Sequence, residues 1–457
     1  MKKLIIIGSL LFLVLILVEC QKASVFPASN YNDQLSGGDE TVFDATQSAF
    51  GNIFPTLSGY DEHVHVLGDL VFNQSFVTAP APIQSGLGPI YNNTSCANCH
   101  HSDGIGIPTA GDRQSSLLLR ISLPGADANG GPLPVPGYGL QLQDKAVYGK
   151  APECSVNIAY NYQTYSFADG ESYELRTPTY TLSNLYTPIS GAYLLSPRLA
   201  PPMIGLGLLE GVPESEIIAY ADPNDANGDG IKGKANYVWD IATQSKQLGR
   251  FGWKANTASI LTQVVTAFNQ DMGITTSLEP VESSYGQAQY DGLKDDPELA
   301  DSLLHAVKYY AQTLSVPARR NVTDATVKRG EQLFMLAKCG TCHRQTLTTA
   351  VNVAFPAISN QIIHPYTDML VHDMGPGLAD NRPDYLAGPR DWRTAPLWGL
   401  GLYATVNNPG YFLHDGRART ITEAIMWHGG EAAASQAYFS NLSTTDRNAV
   451  LAFLNSL

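Results

Sequence analysis

The longest apolar run lies at the start of the chain. Leu4 to Val18 is broken only by Gly8 and Ser9 and follows Lys2 and Lys3. It is shorter than the roughly 20 residues that span a bilayer and suits the core of a secretory signal. Elsewhere apolar positions recur instead of running together. Residues 257–271 and the stretch PELADSLLHAVKYYAQTL (297–314) carry them at helical spacing. TDATVKRGEQLFMLAKC predicts a helix running to Cys339, with Thr323 or Asp324 as its N-cap. Between these segments the pattern fails. LPGADANGGPLPVPGYG (124–140) holds too much Pro and Gly for regular structure, and SVPARRN (315–321) reads as a hinge. The polar stretch after Cys20 reads as a tether. The resulting organisation is a signal at 1–20, a tether at 21–44, a loop-rich unit at 45–316 and a second unit at 317–457. No short-period repeat is visible.

Composition narrows the function classes. Of 457 residues 44% are hydrophobic and 15% charged, an ordinary globular balance. The net charge of −14 argues against a nucleic-acid partner. Cys20 directly follows the apolar run. It predicts a lipid-anchored N-terminus on an exported protein, periplasmic or at the cell surface, with an uncleaved anchor or another cleavage site as alternatives. Cys154 stands alone, as a buried thiol or a reactive one.

The remaining four cysteines form two identical constellations, Cys96-Ala-Asn-Cys99-His100 and Cys339-Gly-Thr-Cys342-His343. Thiols three residues apart share one face of a helical turn, and the next histidine reaches the same space. That spacing matches two haem vinyl groups and the iron, so two covalently bound haem c groups are expected, with His100 and His343 as proximal ligands. A zinc site would need a second CxxC-like half near each, and none is present.

The sixth ligands decide what such a protein does. No histidine lies between His101 and His305, which favours a first haem with an open face, although His63 or His65 could reach it from upstream. Near the second haem the ranking by ligand chemistry is His372, then Met374, with His414 as a distal or propionate-contacting residue. Trp253 is the candidate aromatic between the haems, with core packing as its alternative role. Asp225, Asn227 and Asp229 precede Gly230 in the order D-x-N-x-D-G. They suggest Ca²⁺ binding, or else an Asx-rich turn that caps its own backbone.

RTAPLWGLGLYATVNNPGYFLHDGRARTITEAIMWHGG (393–430) resembles the end of bacterial di-haem cytochrome c peroxidases and MauG-type enzymes. RLAPPMIGLGLLEGVPE, GRFGWKANTASILTQVVTAFNQDMGIT and PYTDMLVHDMG resemble, more narrowly, the di-haem oxidoreductase family once described as predicted thiol oxidoreductases. The resemblance runs from about residue 45 to the end. It implies a mainly α protein with two cytochrome c-like haem domains and long loop-rich insertions. It further implies electron relay from one haem to an open one that reduces peroxide or another oxidant. A small redox protein or a quinol-linked donor would supply the electrons, and iron-uptake lipoproteins are expected partners. The competing function is a non-catalytic di-haem electron carrier associated with iron acquisition. The chain departs from the peroxidases in lacking a histidine shortly after the first CxxCH, and no CxxC outside the two motifs supports thiol chemistry.

Overall fold

A computed structural model describes residues 31–457. The apolar leader, Cys20 and the first part of the tether lie outside the described residues. Among the described residues no helix is long and apolar enough to cross a membrane.

Two helix pairs set up the architecture. The first is α1 (Tyr60–Asn73), which crosses α3 (Asp301–Gln312), with α2 (Ile260–Met272) beside them. The second is α4 (Ala325–Leu336), which crosses α5 (Thr444–Ser456). The local causes are ordinary. Ser259 accepts the Thr262 N–H to start α2, and Gly273, at φ +71°, ends it. Asp324 accepts the N–H groups of Thr326 and Val327 to start α4, so of the two capping candidates the aspartate acts.

The two crossings are built alike. In α1 a Cβ on Gly68 would meet the Ala306 carbonyl oxygen at 2.1 Å, and in α4 one on Gly330 would meet that of Ala449 at 1.9 Å. Four residues after each glycine stands a phenylalanine, and four after each alanine an aromatic. The ring pairs Phe72–Tyr310 and Phe334–Phe453 lie 5.0 and 5.1 Å apart. One contiguous apolar cluster contains both pairs. The segment 315–321 is part of that core. Val316–Pro317 pairs in parallel with Thr41–Val42, and Ser315 and Arg319 are buried.

The expectation of a mainly α chain is wrong. Helices hold 28% of the structure and strands 20%, in several small sheets. In one of them, strand β1 (Leu117–Ala126) is antiparallel to β4 (Leu194–Leu199). Between them a long ribbon pairs β2 (Ser155–Ser166) with β3 (Ser172–Ser183) along their whole length. The cause is a period of two in SVNIAYNYQTYS, where Val156, Ile158, Tyr160 and Tyr162 alternate with smaller or polar residues. The ribbon folds back onto the C-terminal half. Arg176 donates to the carbonyls of Gly416 and Arg417, and Arg447 pairs with Asp169 and Glu171 at the ribbon's turn.

Candidate functional site

Two cavities of nearly equal size, about 210 and 220 Å³, each contain one CxxCH motif. In both motifs the histidine N–H closes a helical turn on the first cysteine's carbonyl, at 2.9 Å, which brings the thiols and the imidazole to one side. The cysteines are free. Burial pushes the thiols of Cys96, Cys99 and Cys339 up to about 12, so the bare chain holds them protonated.

The first cavity is walled by one face of α2, where Ile260, Gln263, Val264, Ala267, Phe268 and Asp271 recur at helical spacing. Phe72 of α1, with Val307 and Ala311 of α3, supplies another wall. His100 Nδ1 lies 2.8 Å from the Pro201 carbonyl, and the Phe72 ring is 6.1 Å from its own. With Nδ1–H donated to a backbone acceptor, Nε2 is the nitrogen left to bind a metal. Burial holds the ring down to about 4, hence neutral. His100 is the only histidine lining this cavity among the described residues.

The second cavity repeats the arrangement. His343 Nδ1 lies 2.9 Å from the Tyr366 carbonyl, the Phe334 ring is 6.2 Å away, and burial again holds the imidazole down to about 4. Val450 and Leu454 of α5 face in at i, i+4. Here further histidines are present. Ile421, Ala424, Ile425 and His428 line the cavity from one helical face. His428 Nδ1 lies 2.8 Å from the Ala424 carbonyl, and burial lowers its pKa. It is therefore a second neutral imidazole with Nε2 uncommitted, the same preparation as in His100 and His343.

His372, Met374 and His414, predicted as distal candidates, all line this second cavity. His372 has both ring nitrogens engaged, Nε2 at 2.9 Å from Asp368 and Nδ1 at 2.8 Å from Glu431. Burial opposes its charge, but the hydrogen bonds to Asp368, Cys342 and Glu431 hold its pKa well above the usual range. Both of its ring nitrogens are thus engaged by carboxylates, whereas His428 keeps Nε2 uncommitted. His414 is stacked on Trp392 at 3.7 Å and is held down to about 3 by burial. His428, one of the histidines the sequence offers near the second haem, was not ranked with His372, Met374 and His414. Its four-residue spacing from Ala424, on the same face as Ile421 and Ile425, was the available signal. His65 is buried against Thr313, whereas His101 reaches the Gln114 carbonyl, and neither lines either of these two cavities. In the 225–230 turn the oxygens of Asp225, Asn227 and Asp229 accept N–H groups of the turn itself.

Trp253, Arg393, Ala395, Pro396 and Tyr403 line both cavities. Trp253 Nε1–H donates to the Leu199 carbonyl at 2.7 Å, and Leu199 N–H donates to the His414 carbonyl at 2.7 Å, so two hydrogen bonds connect the shared wall to the second cavity. Arg393 gives its Nε–H to the Gly252 carbonyl, and burial lowers its pKa to about 10. It is a desolvated cation beside both spaces.

These features fit a haem in each cavity: apolar walls, a thiol pair beside an imidazole with Nε2 free, and a guanidinium available for carboxylates. The sequence model of the family described as "Di-haem oxidoreductase, putative peroxidase" matches residues 31–457. No curated protein matches the chain. Among solved structures the chain is similar to a hydrazine synthase of Kuenenia stuttgartiensis, at a TM-score of 0.36 and 13% identity over 100% of both chains. The chain belongs to the di-haem oxidoreductase family.

Proposed function

We propose that the protein is a di-haem peroxide reductase in which electrons enter on the His343 side and are used on the His100 side. Haem c is joined to Cys96 and Cys99 in the first cavity and to Cys339 and Cys342 in the second. When bound, a haem with two imidazole ligands passes electrons, whereas one with a free face reduces an oxidant. The observation that carries the reading is the contrast between the cavities. The second cavity is lined by His428 as well as its motif histidine, which would supply a sixth ligand, and the first offers no histidine beyond His100.

The chain's own residues fill the remaining roles. Trp253, in the wall common to both cavities, is the relay. Arg393 neutralises haem carboxylates. Asn256 and Gln263 are among the polar groups that line the first cavity and would face an oxidant. The apolar leader and Cys20 support export and a lipid anchor, with a small redox protein or a quinol-linked donor supplying electrons and iron-uptake lipoproteins as neighbours. Electron paramagnetic resonance of the ferric holoprotein tests this. One high-spin signal that shifts on adding cyanide or peroxide, beside one low-spin signal that does not, is expected. Two low-spin signals inert to both would replace catalysis with simple electron carriage.

A further inference from the structure

The two helix crossings match in their packing but not in their chemistry. Phe453, at the second crossing, is fully buried. Tyr310, its counterpart at the first, is 2% exposed and adds a hydroxyl. A phenylalanine satisfies the packing at one crossing, so the hydroxyl at the other has a further use. It donates to Asp103 Oδ1 at 2.7 Å. Asp103 stands three residues after His100, where the second unit has Thr346 three after His343. The backbone that carries it is uncommon: Ser102 and Asp103 are both left-handed, at φ 51° and 59°. Side chains held in this way cluster at functional sites.

The pair differs from the other buried acids. Asp380, Asp384 and Asp415 pair with lysine or arginine, whereas Asp103 faces a phenol. The charge of Asp69 also reaches that phenol. Tyr366, the buried tyrosine near the second motif, instead meets the Arg319 guanidinium at 3.3 Å. A phenol among anions gives up an electron more readily than one beside a cation, because the positive charge left behind is stabilised. Tyr310 is also in contact with the first motif through one ring. It lies 5.0 Å from Phe72, which lies 6.1 Å from His100.

We propose that Tyr310 is a redox-active residue that supplies one electron to the first haem, with Asp103 as its proton acceptor. The inference rests on peroxide being reduced on the His100 side. Peroxide takes two electrons, whereas the Trp253 relay delivers them singly. In the step, one electron leaves Tyr310 for the first haem after peroxide has oxidised it. The phenolic O–H bond breaks and its proton moves to Asp103 Oδ1. A neutral phenoxyl radical and a carboxylic acid remain, so the step adds no charge to the core. An electron from the second haem and the proton returning from Asp103 restore the phenol.

The test is electron paramagnetic resonance of the haem-loaded protein oxidised in two ways: by peroxide without reductant, and by flash-quench with a ruthenium photo-oxidant, which is independent of peroxide chemistry. Peroxide is expected to give a tyrosyl radical signal that Tyr310→Phe removes. Asp103→Asn keeps an acceptor for the hydroxyl but cannot take its proton, and should lower the yield severalfold. Tyr285→Phe, at a tyrosine 67% exposed, should leave the peroxide signal unchanged. With light, surface tyrosines add to the signal, and the difference between the parent and Tyr310→Phe is read. Where peroxide oxidises the first haem, a missing tyrosyl signal, or one indifferent to Tyr310→Phe, overturns the proposal and leaves the reading of that haem intact. Where peroxide alters neither haem, that reading falls and the light-driven difference decides for Tyr310: its presence supports the redox site and its absence overturns it. Should Tyr310→Phe not fold, Asp103→Asn decides, and an unchanged yield overturns the proposal.

Discussion

Replacing Gly330 with alanine puts the repeated helix crossing to a direct test. In an exposed helix this change would stabilise by about 1 kcal/mol through helix propensity. Here the added Cβ would lie 1.9 Å from the Ala449 carbonyl oxygen and 2.8 Å from the Phe453 Cβ. Real Cβ atoms essentially never approach within 3.0 Å, so α4 and α5 must part by 3.0 − 1.9, about 1.1 Å. The obstacle is backbone and cannot rotate away, which puts the overpacking cost near the top of its usual range of about 1–3 kcal/mol. The Phe334–Phe453 contact, worth about 0.5–1.5 kcal/mol, loosens as well. After the propensity gain a net loss of about 3 kcal/mol remains, roughly a 150-fold change in the folding equilibrium.

Phe334 also neighbours His343, so damage should appear first at the haem on that side. Urea unfolding followed through the low-spin absorption bands is the assay, and Gly330→Ala should shift its midpoint down. Gly68→Ala, where the Cβ would meet the Ala306 oxygen at 2.1 Å, should instead disturb the His100 side. A Gly330→Ala protein as stable as the parent, or more so, would falsify the crossing geometry and the repeat drawn from it.

The other predictions concern ligation, relay and pH. His428→Ala should convert the low-spin signal to high-spin and shift that haem's potential, while an unaltered low-spin spectrum would return the sixth ligand to Met374 or another residue. Trp253→Phe removes the donor to the Leu199 carbonyl, costing about 1–3 kcal/mol. It should slow electron transfer between the haems with both spectra preserved, and an unchanged stopped-flow rate would exclude the tryptophan as relay. Glu153 is fully buried, and burial pushes its carboxyl from 4.5 up to about 8. The folded chain thus keeps a proton that the unfolded chain releases, so this group's effect on stability is favourable below about pH 4.5, declines as pH rises and levels off above about pH 8. Glu153→Gln should flatten that decline, and parallel urea midpoints for both proteins across the range would disprove the assignment.

What the sequence revealed follows the range of the interactions involved. Thioether attachment is local chemistry, since two thiols and an imidazole must lie within one turn, and the spacing of Cys96, Cys99 and His100 states it outright. The helices at 260–272, 301–312 and 325–336 were legible for the same reason, through apolar period and, for the last, an Asp324 cap. The β2–β3 ribbon was locally encoded too, yet its alternation involves tyrosines half exposed on both faces and is easily taken for loop. The glycine–aromatic repeat was hidden by unequal intervals. Gly68 precedes its motif cysteine by 28 residues and Gly330 by 9, because the first unit carries the longer connection.

What holds each candidate ligand could not be read locally. Ranking His372 above the thioether of Met374 is sound coordination chemistry, but in the fold both its ring nitrogens meet carboxylates, Glu431, 59 residues away, and Asp368, four residues back. The same local logic in reverse marks His428. One backbone acceptor four residues back fixes its tautomer and frees Nε2, and only the packing of its helix decides that His428 lines the second cavity. A histidine's availability to iron is therefore set by what its other nitrogen touches, which is a property of the fold and not of the motif.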